Sequence, residues 1–203
     1  MQNVFDILSH RPRLDRQRYG HRLPPGQKAT EGWPVLHYGA VPRIDLAQWA
    51  FRVWGEVEEE LTLTYQEVMA LPSVTIVSDI HCVTQWSKFD NQWEGVAFRQ
   101  LMKHIQPKPQ ARYVMVHSYG GYTTNVPLAD LMDDDVLFAY RHNGHDLAPE
   151  HGWPLRLVLP KLYFWKSAKW VRGLEFMPDD RPGFWETYGY HLRGDPWREE
   201  RYS

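Results

Sequence analysis

The sequence predicts a mixed α+β domain, on three observations. Short apolar and β-branched runs outnumber stretches of helical period, and the two do not alternate in the strand–helix–strand order of a doubly wound sheet. The 203 residues, 43% hydrophobic and 24% charged, suit one compact unit. Within it, residues 1–30 read as an extended N-terminal arm rich in Arg, Pro, Gly and Gln, 31–180 as the body, and 181–203 as a C-terminal tail packed on that body.

The body begins near Trp33-Pro-Val-Leu-His-Tyr-Gly. The alternation in Trp49-Ala-Phe-Arg-Val-Trp-Gly predicts a strand that turns at Gly55. Thr64-Tyr-Gln-Glu67 fits a capping box, so a short helix starts there and stops before Pro72. Val74-Thr-Ile-Val-Ser is a β-branched run, a buried strand that delivers Asp79-Ile-His-Cys82 at its end or into the loop beyond.

Phe98, Leu101, Met102 and Ile105 recur at helical spacing and form a core stripe, ended by Pro107 and Pro109. Tyr113–Ser118 reads as a strand broken by Gly120-Gly121, and Pro127-Leu-Ala-Asp-Leu-Met starts a short helix with Pro in its first turn. Val136–Arg141 is strand again. Asn143-Gly144 predicts a two-residue hairpin turn, and Leu155–Leu159 and Trp170–Phe176 add two more strands.

Composition excludes several classes. With 23 Lys plus Arg against 25 Asp plus Glu, no global field recruits nucleic acid or an anionic membrane. No stretch approaches the ~20 apolar residues of a membrane helix, and the N-terminus carries neither a secretory nor a twin-arginine pattern, so the expected location is cytoplasmic. One cysteine makes no internal disulfide. There is no CxxC, HExxH, GxGxxG, Walker or GxSxG sequence, which leaves structural zinc, nucleotide binding and a serine elbow without support. His142 and His145 flank the Asn-Gly turn, where solvent exposure is the usual fate.

Ten Trp, eleven Tyr and eight Phe supply either a Trp-rich core or flat walls for a planar ligand. Cys82, in a loop-like segment past an apolar strand, is open to three readings from residue chemistry alone. It is a small buried hydrophobe, a metal-binding thiolate, or a nucleophile; the last two need positive neighbours, which His81 and Lys88 could supply.

Residues 33 to about 177 together resemble the sulfite oxidase family of molybdopterin-binding oxidoreductases. Asp79-Ile-His-Cys-Val-Thr-Gln-Trp-Ser-Lys88 looks like the family segment whose cysteine ligates molybdenum. His151-Gly-Trp-Pro-Leu-Arg-Leu-Val-Leu-Pro160 and Lys161–Trp170 are similar to the stretch that holds the pterin and its phosphate end. The resemblance implies a sulfite oxidase-like fold, molybdopterin and molybdenum as cofactors, and Cys82 as metal ligand. It assigns His151, Arg156, Ser167 and Lys169 to the pterin, with Arg156 a planar fork for phosphate oxygens, Lys169 a compact charge, and backbone amides near Ser167 further donors.

Tyr122 falls where sulfite oxidases place a pocket tyrosine beside the metal, and with Cys82 it forms the implied catalytic pair. Ser118 is a further pterin contact. His37 and Tyr38 match the early cofactor-touching segment, although their types differ from the family's Asn-His and Asn-Asn forms. Leu36 stands where sulfite oxidases carry a sulfite-binding arginine, and Cys-Val-Thr-Gln-Trp-Ser is closer to the bacterial sulfoxide-reducing type.

The implied activity is oxygen-atom transfer to or from a small sulfoxide or oxyanion, with the metal held by two dithiolene sulfurs and the Cys82 thiolate. Residues past about 180 are too few for the haem or immunoglobulin-like domains of animal sulfite oxidases, so electrons are expected to pass through a separate protein. The alternatives are a thiol-dependent hydrolase using Cys82 and a molybdopterin-binding module without turnover.

Overall fold

A computed structural model describes residues 15–203, and eleven strands in two sheets organise it. They are β1 (Lys28–Ala29), β2 (Ala50–Gly55), β3 (Leu61–Thr64), β4 (Val74–His81), β5 (Trp86–Ala97), β6 (Tyr113–Ser118), β7 (Thr123–Pro127), β8 (Leu137–His142), β9 (His145–Asp146), β10 (Arg156–Val158) and β11 (Val171–Met177). The first sheet runs β1-β5-β8-β10, with β4 on β5 and β9 on β8; the second runs β3-β2-β11-β6-β7. Both mix directions, since β1–β5 and β11–β2 are parallel and the other pairs antiparallel. The helices are single turns, such as Tyr65–Met69 and Phe98–Leu101, so the α+β class holds.

One apolar core lies between the sheets. Phe51 and Val53 of β2, Val114 and Val116 of β6, and Leu174 and Phe176 of β11 meet Val96, Phe138 and Leu157 of the other sheet. The Phe51 and Phe138 rings meet edge-on at 5.3 Å. At a register shift between β5 and β8, a Cβ on Gly95 would come within 2.1 Å of the Phe138 carbonyl, so a side chain there would break the pairing.

The Thr64–Glu67 capping box forms, with Thr64 N–H donating to Glu67 Oε2 at 2.7 Å and Glu67 N–H to Thr64 Oγ1 at 3.3 Å. The turn at Asn143-Gly144 has positive φ at both residues and joins β8 to β9. Pro127 is the last residue of β7 and caps helix Leu128–Leu131 instead of entering it. The stretch Trp86–Ala97, which gives no hydrophobic strand signal, is the longest strand. Its burial alternates, but Ser87 and Asn91 occupy inward positions, and polar partners satisfy both: His81 Nδ1 for Ser87 Oγ, and the Ser78 and Lys88 carbonyls for the Asn91 amide.

Residues 1–14 of the expected arm lie outside the described residues. Its remainder places Leu23 and Gln27 among buried residues and pairs Lys28 and Ala29 with β5. Beyond residue 180, helix Phe184–Thr187 and the return to Tyr202 close one side of the first sheet's cysteine end.

Candidate functional site

β4 ends at His81, and the chain reverses over Cys82–Gln85 into β5. Cys82 N–H donates to the Trp86 carbonyl at 2.8 Å, Gln85 N–H to the Cys82 carbonyl at 3.0 Å, and Gln85 takes φ +70°. This tight turn presents the Cys82 side chain to a cavity of about 280 Å³, close to the lower end of small-molecule sites at ~300 Å³. Aromatic faces form most of its wall, including Trp33, Trp86, Trp165, Trp170, Trp185 and Tyr190. Among the described residues, its charged residues are Arg156 and Lys169, and no carboxylate lines it.

Of the residues singled out in the sequence, His37, Tyr38, Cys82, Tyr122, Arg156, Ser167 and Lys169 line this cavity. His151 stands behind the wall, its ring stacked on Trp33 at 3.8 Å. Ser118 closes β6 away from the lining, and its buried hydroxyl has no protein partner. Trp185 and Tyr190 were not anticipated. They come from beyond residue 180, and only the fold brings them to the cavity.

Cys82 is 8% exposed and packs with Val83, Tyr163 and Trp165. Its sulfur lies 3.2 Å from Thr84 Oγ1, and burial pushes the thiol up, against smaller opposing effects from Thr84 and Arg201. The expected activation by His81 and Lys88 does not occur. His81 is buried with Nδ1 2.8 Å from Ser87 Oγ, and desolvation lowers it to about 4, which leaves it neutral. Lys88 acts on His142 instead. Arg201 is the cation that acts on Cys82.

Arg156 is 1% exposed and donates to the His151 carbonyl at 2.8 Å and the Ser167 carbonyl at 2.9 Å, while its Nε has no partner among the described residues. Desolvation lowers it to about 9. Lys169 Nζ donates to the Glu150 carbonyl at 2.7 Å and the Leu36 carbonyl at 2.9 Å, and burial, then Arg156, lower it to about 7. Among the described residues neither cation pairs with a carboxylate, so a buried guanidinium and a half-buried ammonium are desolvated without an ion-pair partner.

The amides near Ser167, expected to donate to a phosphate, are already used. Ser167 N–H bonds Phe164 O and Ala168 N–H bonds Lys166 O, while the Ser167 hydroxyl accepts from Leu159 N–H at 3.0 Å. The Tyr122 hydroxyl donates to the Trp165 carbonyl at 2.6 Å, and burial raises it well above its ordinary value. Trp165 is held in turn by Glu186, which accepts from its indole at 2.8 Å and pairs with the fully buried Lys166 at 2.6 Å.

These features fit a planar, anionic, thiolate-seeking ligand: aromatic walls, two unneutralised cations and one buried soft donor. Residues 38–185 match the family model described as the oxidoreductase molybdopterin-binding domain. The chain is 48% identical over 183 residues to the uncharacterized oxidoreductase YuiH of Bacillus subtilis, covering 90% of this chain and 92% of that one. It is 29% identical to the putative protein-methionine-sulfoxide reductase subunit YedZ1 of Azospira oryzae, covering 84% of this chain and 66% of the relative. It spans only 22% of the NADH nitrate reductase of Volvox carteri. The sulfane dehydrogenase SoxCD from Paracoccus pantotrophus shares the fold, with a TM-score of 0.64 at 23% identity over 70% of this chain and 41% of that one.

Proposed function

This chain belongs to the oxidoreductase family defined by a molybdopterin-binding domain, and from that premise we propose that Cys82 ligates the molybdenum in an enzyme acting on a small sulfoxide or oxyanion. The cofactor is molybdopterin carrying molybdenum. When bound, this group supplies two-electron redox chemistry coupled to oxygen-atom exchange with the substrate.

One observation carries the reading: a single cavity exposes a buried thiol and two desolvated cations that lack carboxylate partners. Arg156 and Lys169 bind the phosphate end, Arg156 through its unpartnered Nε and Lys169 as a compact charge. Trp33, backed by His151, and the facing indoles hold the ring and exclude water. His37, Tyr38 and the free donor capacity of the Ser167 hydroxyl add contacts. To donate to a bound oxyanion, the Tyr122 hydroxyl must release the Trp165 carbonyl, because it has a single O–H to give.

The thiol-hydrolase alternative lacks what it needs. Its nucleophile would be a thiol raised by burial, with Thr84 at hydrogen-bond distance and the neighbouring histidine turned to Ser87. Residues 31–180 act in this reading as the cofactor-binding unit, with the tail from 181 to 203 completing its wall. A separate electron-transfer protein serves it, and a reducing cytoplasm suits its lone thiol.

The test is elemental and pterin analysis of wild-type protein made in a host that synthesises molybdopterin, followed by reoxidation of the dithionite-reduced enzyme with sulfoxides and oxyanions. Near-stoichiometric molybdenum with fluorescent pterin oxidation products, and reoxidation by one substrate of these classes, is expected. Absence of both metal and pterin from a well-folded protein would overturn the proposal.

A further inference from the structure

The two ends of the described chain meet behind the cysteine turn. Gln27, only 4% exposed, donates through Nε2 to the Cys82 carbonyl at 3.1 Å and the Trp86 carbonyl at 3.3 Å, the two groups that open and close the turn. Lys28 N–H adds a bond to the Gln85 carbonyl at 2.9 Å. From the opposite terminus Arg201 donates to the Val83 carbonyl at 2.7 Å, and its second nitrogen reaches Gln27 Oε1 and the Pro25 carbonyl, each at 3.4 Å. The guanidinium also sits 4.9 Å from the ring centre of Tyr163, which packs in the Cys82 cluster. A Cβ on Gly26 would intrude to 3.1 Å from Arg201 Nη2, so the approach of the two segments is close.

We infer that Gln27 and Arg201 are positioning residues that together hold the Cys82–Trp86 turn so that the sulfur faces the cavity. Both lie outside residues 38–185, the part of the chain that matches the family domain. A turn of five residues has few bonds of its own, and these two fix three of its carbonyls, at positions 82, 83 and 86. Without them the sulfur would sample orientations away from the cavity, because a turn with an exposed tip at Thr84 and Gln85 opens locally at low cost when few bonds hold it. This inference deepens the proposed role of Cys82 as metal ligand and rests on it.

Cys82 is the sole cysteine, so alkylation by iodoacetamide of the full-length, cofactor-free protein reports its access without ambiguity. The variants are Gln27→Met, which keeps length but removes the donor, and Arg201→Gln. Val114→Ala, in the core side of the other sheet, serves as a control for general destabilisation. At matched thermal stability, alkylation about tenfold faster in Gln27→Met and Arg201→Gln than in Val114→Ala is expected. Rates equal to the control would overturn the inference. If either variant fails to fold, Arg201→Lys, which keeps the charge and one donor, takes its place with an intermediate rate.

In the loaded enzyme, a changed paramagnetic signal of the half-reduced, one-electron state of the metal and a lower kcat at unchanged KM are expected for Gln27→Met. An unchanged signal and kcat would contradict the positioning role. A wild type that takes up no molybdenum would sink the proposed function, and the alkylation comparison would still decide whether the termini hold the turn.

Discussion

The Cys82 part of the cavity wall and the Arg156–Lys169 part are both buried, yet burial acts on them in opposite directions. It raises the thiol, so the sulfur stays protonated, and it lowers the lysine to about 7 and the arginine to about 9, so their cations are held at a cost. The two parts are complementary in the same sense: each holds a charge state that a ligand must complete. Under the proposed function, a metal would complete the thiolate by displacing its proton, and an anion would complete the cations. A negative charge on Cys82 would favour the Lys169 ammonium.

The largest effect that separates the two parts is expected from Cys82→Ser, which removes the soft ligand and leaves the cations. Turnover should fall below detection while pterin remains bound; steady-state assays of a pterin-containing variant decide it, and near-normal turnover would break the comparison. Arg156→Ala acts on the other part. It deletes charge-assisted hydrogen bonds worth ~1.5–3 kcal/mol, or roughly ten- to a hundredfold in affinity, so pterin per chain should drop with the thiol intact. Full pterin content in that variant would remove Arg156 from the phosphate role.

A subtler consequence concerns Lys169. Its value of about 7 in the folded, ligand-free protein must rise when an anion binds, so binding takes up a proton above pH 7. Affinity for sulfate, whose charge is constant in this range, should fall as pH rises from 7 towards 10, by at most about tenfold per unit, and Lys169→Met should flatten that slope. Calorimetric titration reads both. A separate effect is on stability. His81, His142 and His151 are each lowered to about 4, so the folded state binds fewer protons than the unfolded chain between there and 6.5. Their contribution is complete above pH 6.5 and is lost as pH falls towards 4, by up to ~1.4 kcal/mol per pKa unit for a fully buried ring and less for half-buried His142 and His151. Thermal melts across that window measure it, and a flat profile would show that the three rings charge without cost.

How far the sequence anticipates this arrangement differs between the same two parts. β4 is legible as a strand because Val74-Thr-Ile-Val-Ser is a β-branched run, and the position of Cys82 just beyond it follows; the expected burial does not, since only Ile80 and His81 at its end are buried and Val77 is exposed. The cation side is legible through the likeness of His151–Trp170 to a known cofactor-binding stretch. β5 is not legible: its inward face includes Ser87 and Asn91, whose burial depends on hydrogen bonds to His81 and to strand carbonyls. Nor are Trp185, Tyr190, Gln27 and Arg201, which reach the site only by long-range packing that no local period records.

The most direct test of the central claim is molybdenum K-edge X-ray absorption on metal-loaded wild type and Cys82→Ser. One sulfur neighbour more in wild type than in the variant is the predicted result. An equal sulfur count in both would show that Cys82 is not the ligand, and the cysteine part of the wall would then have no metal role.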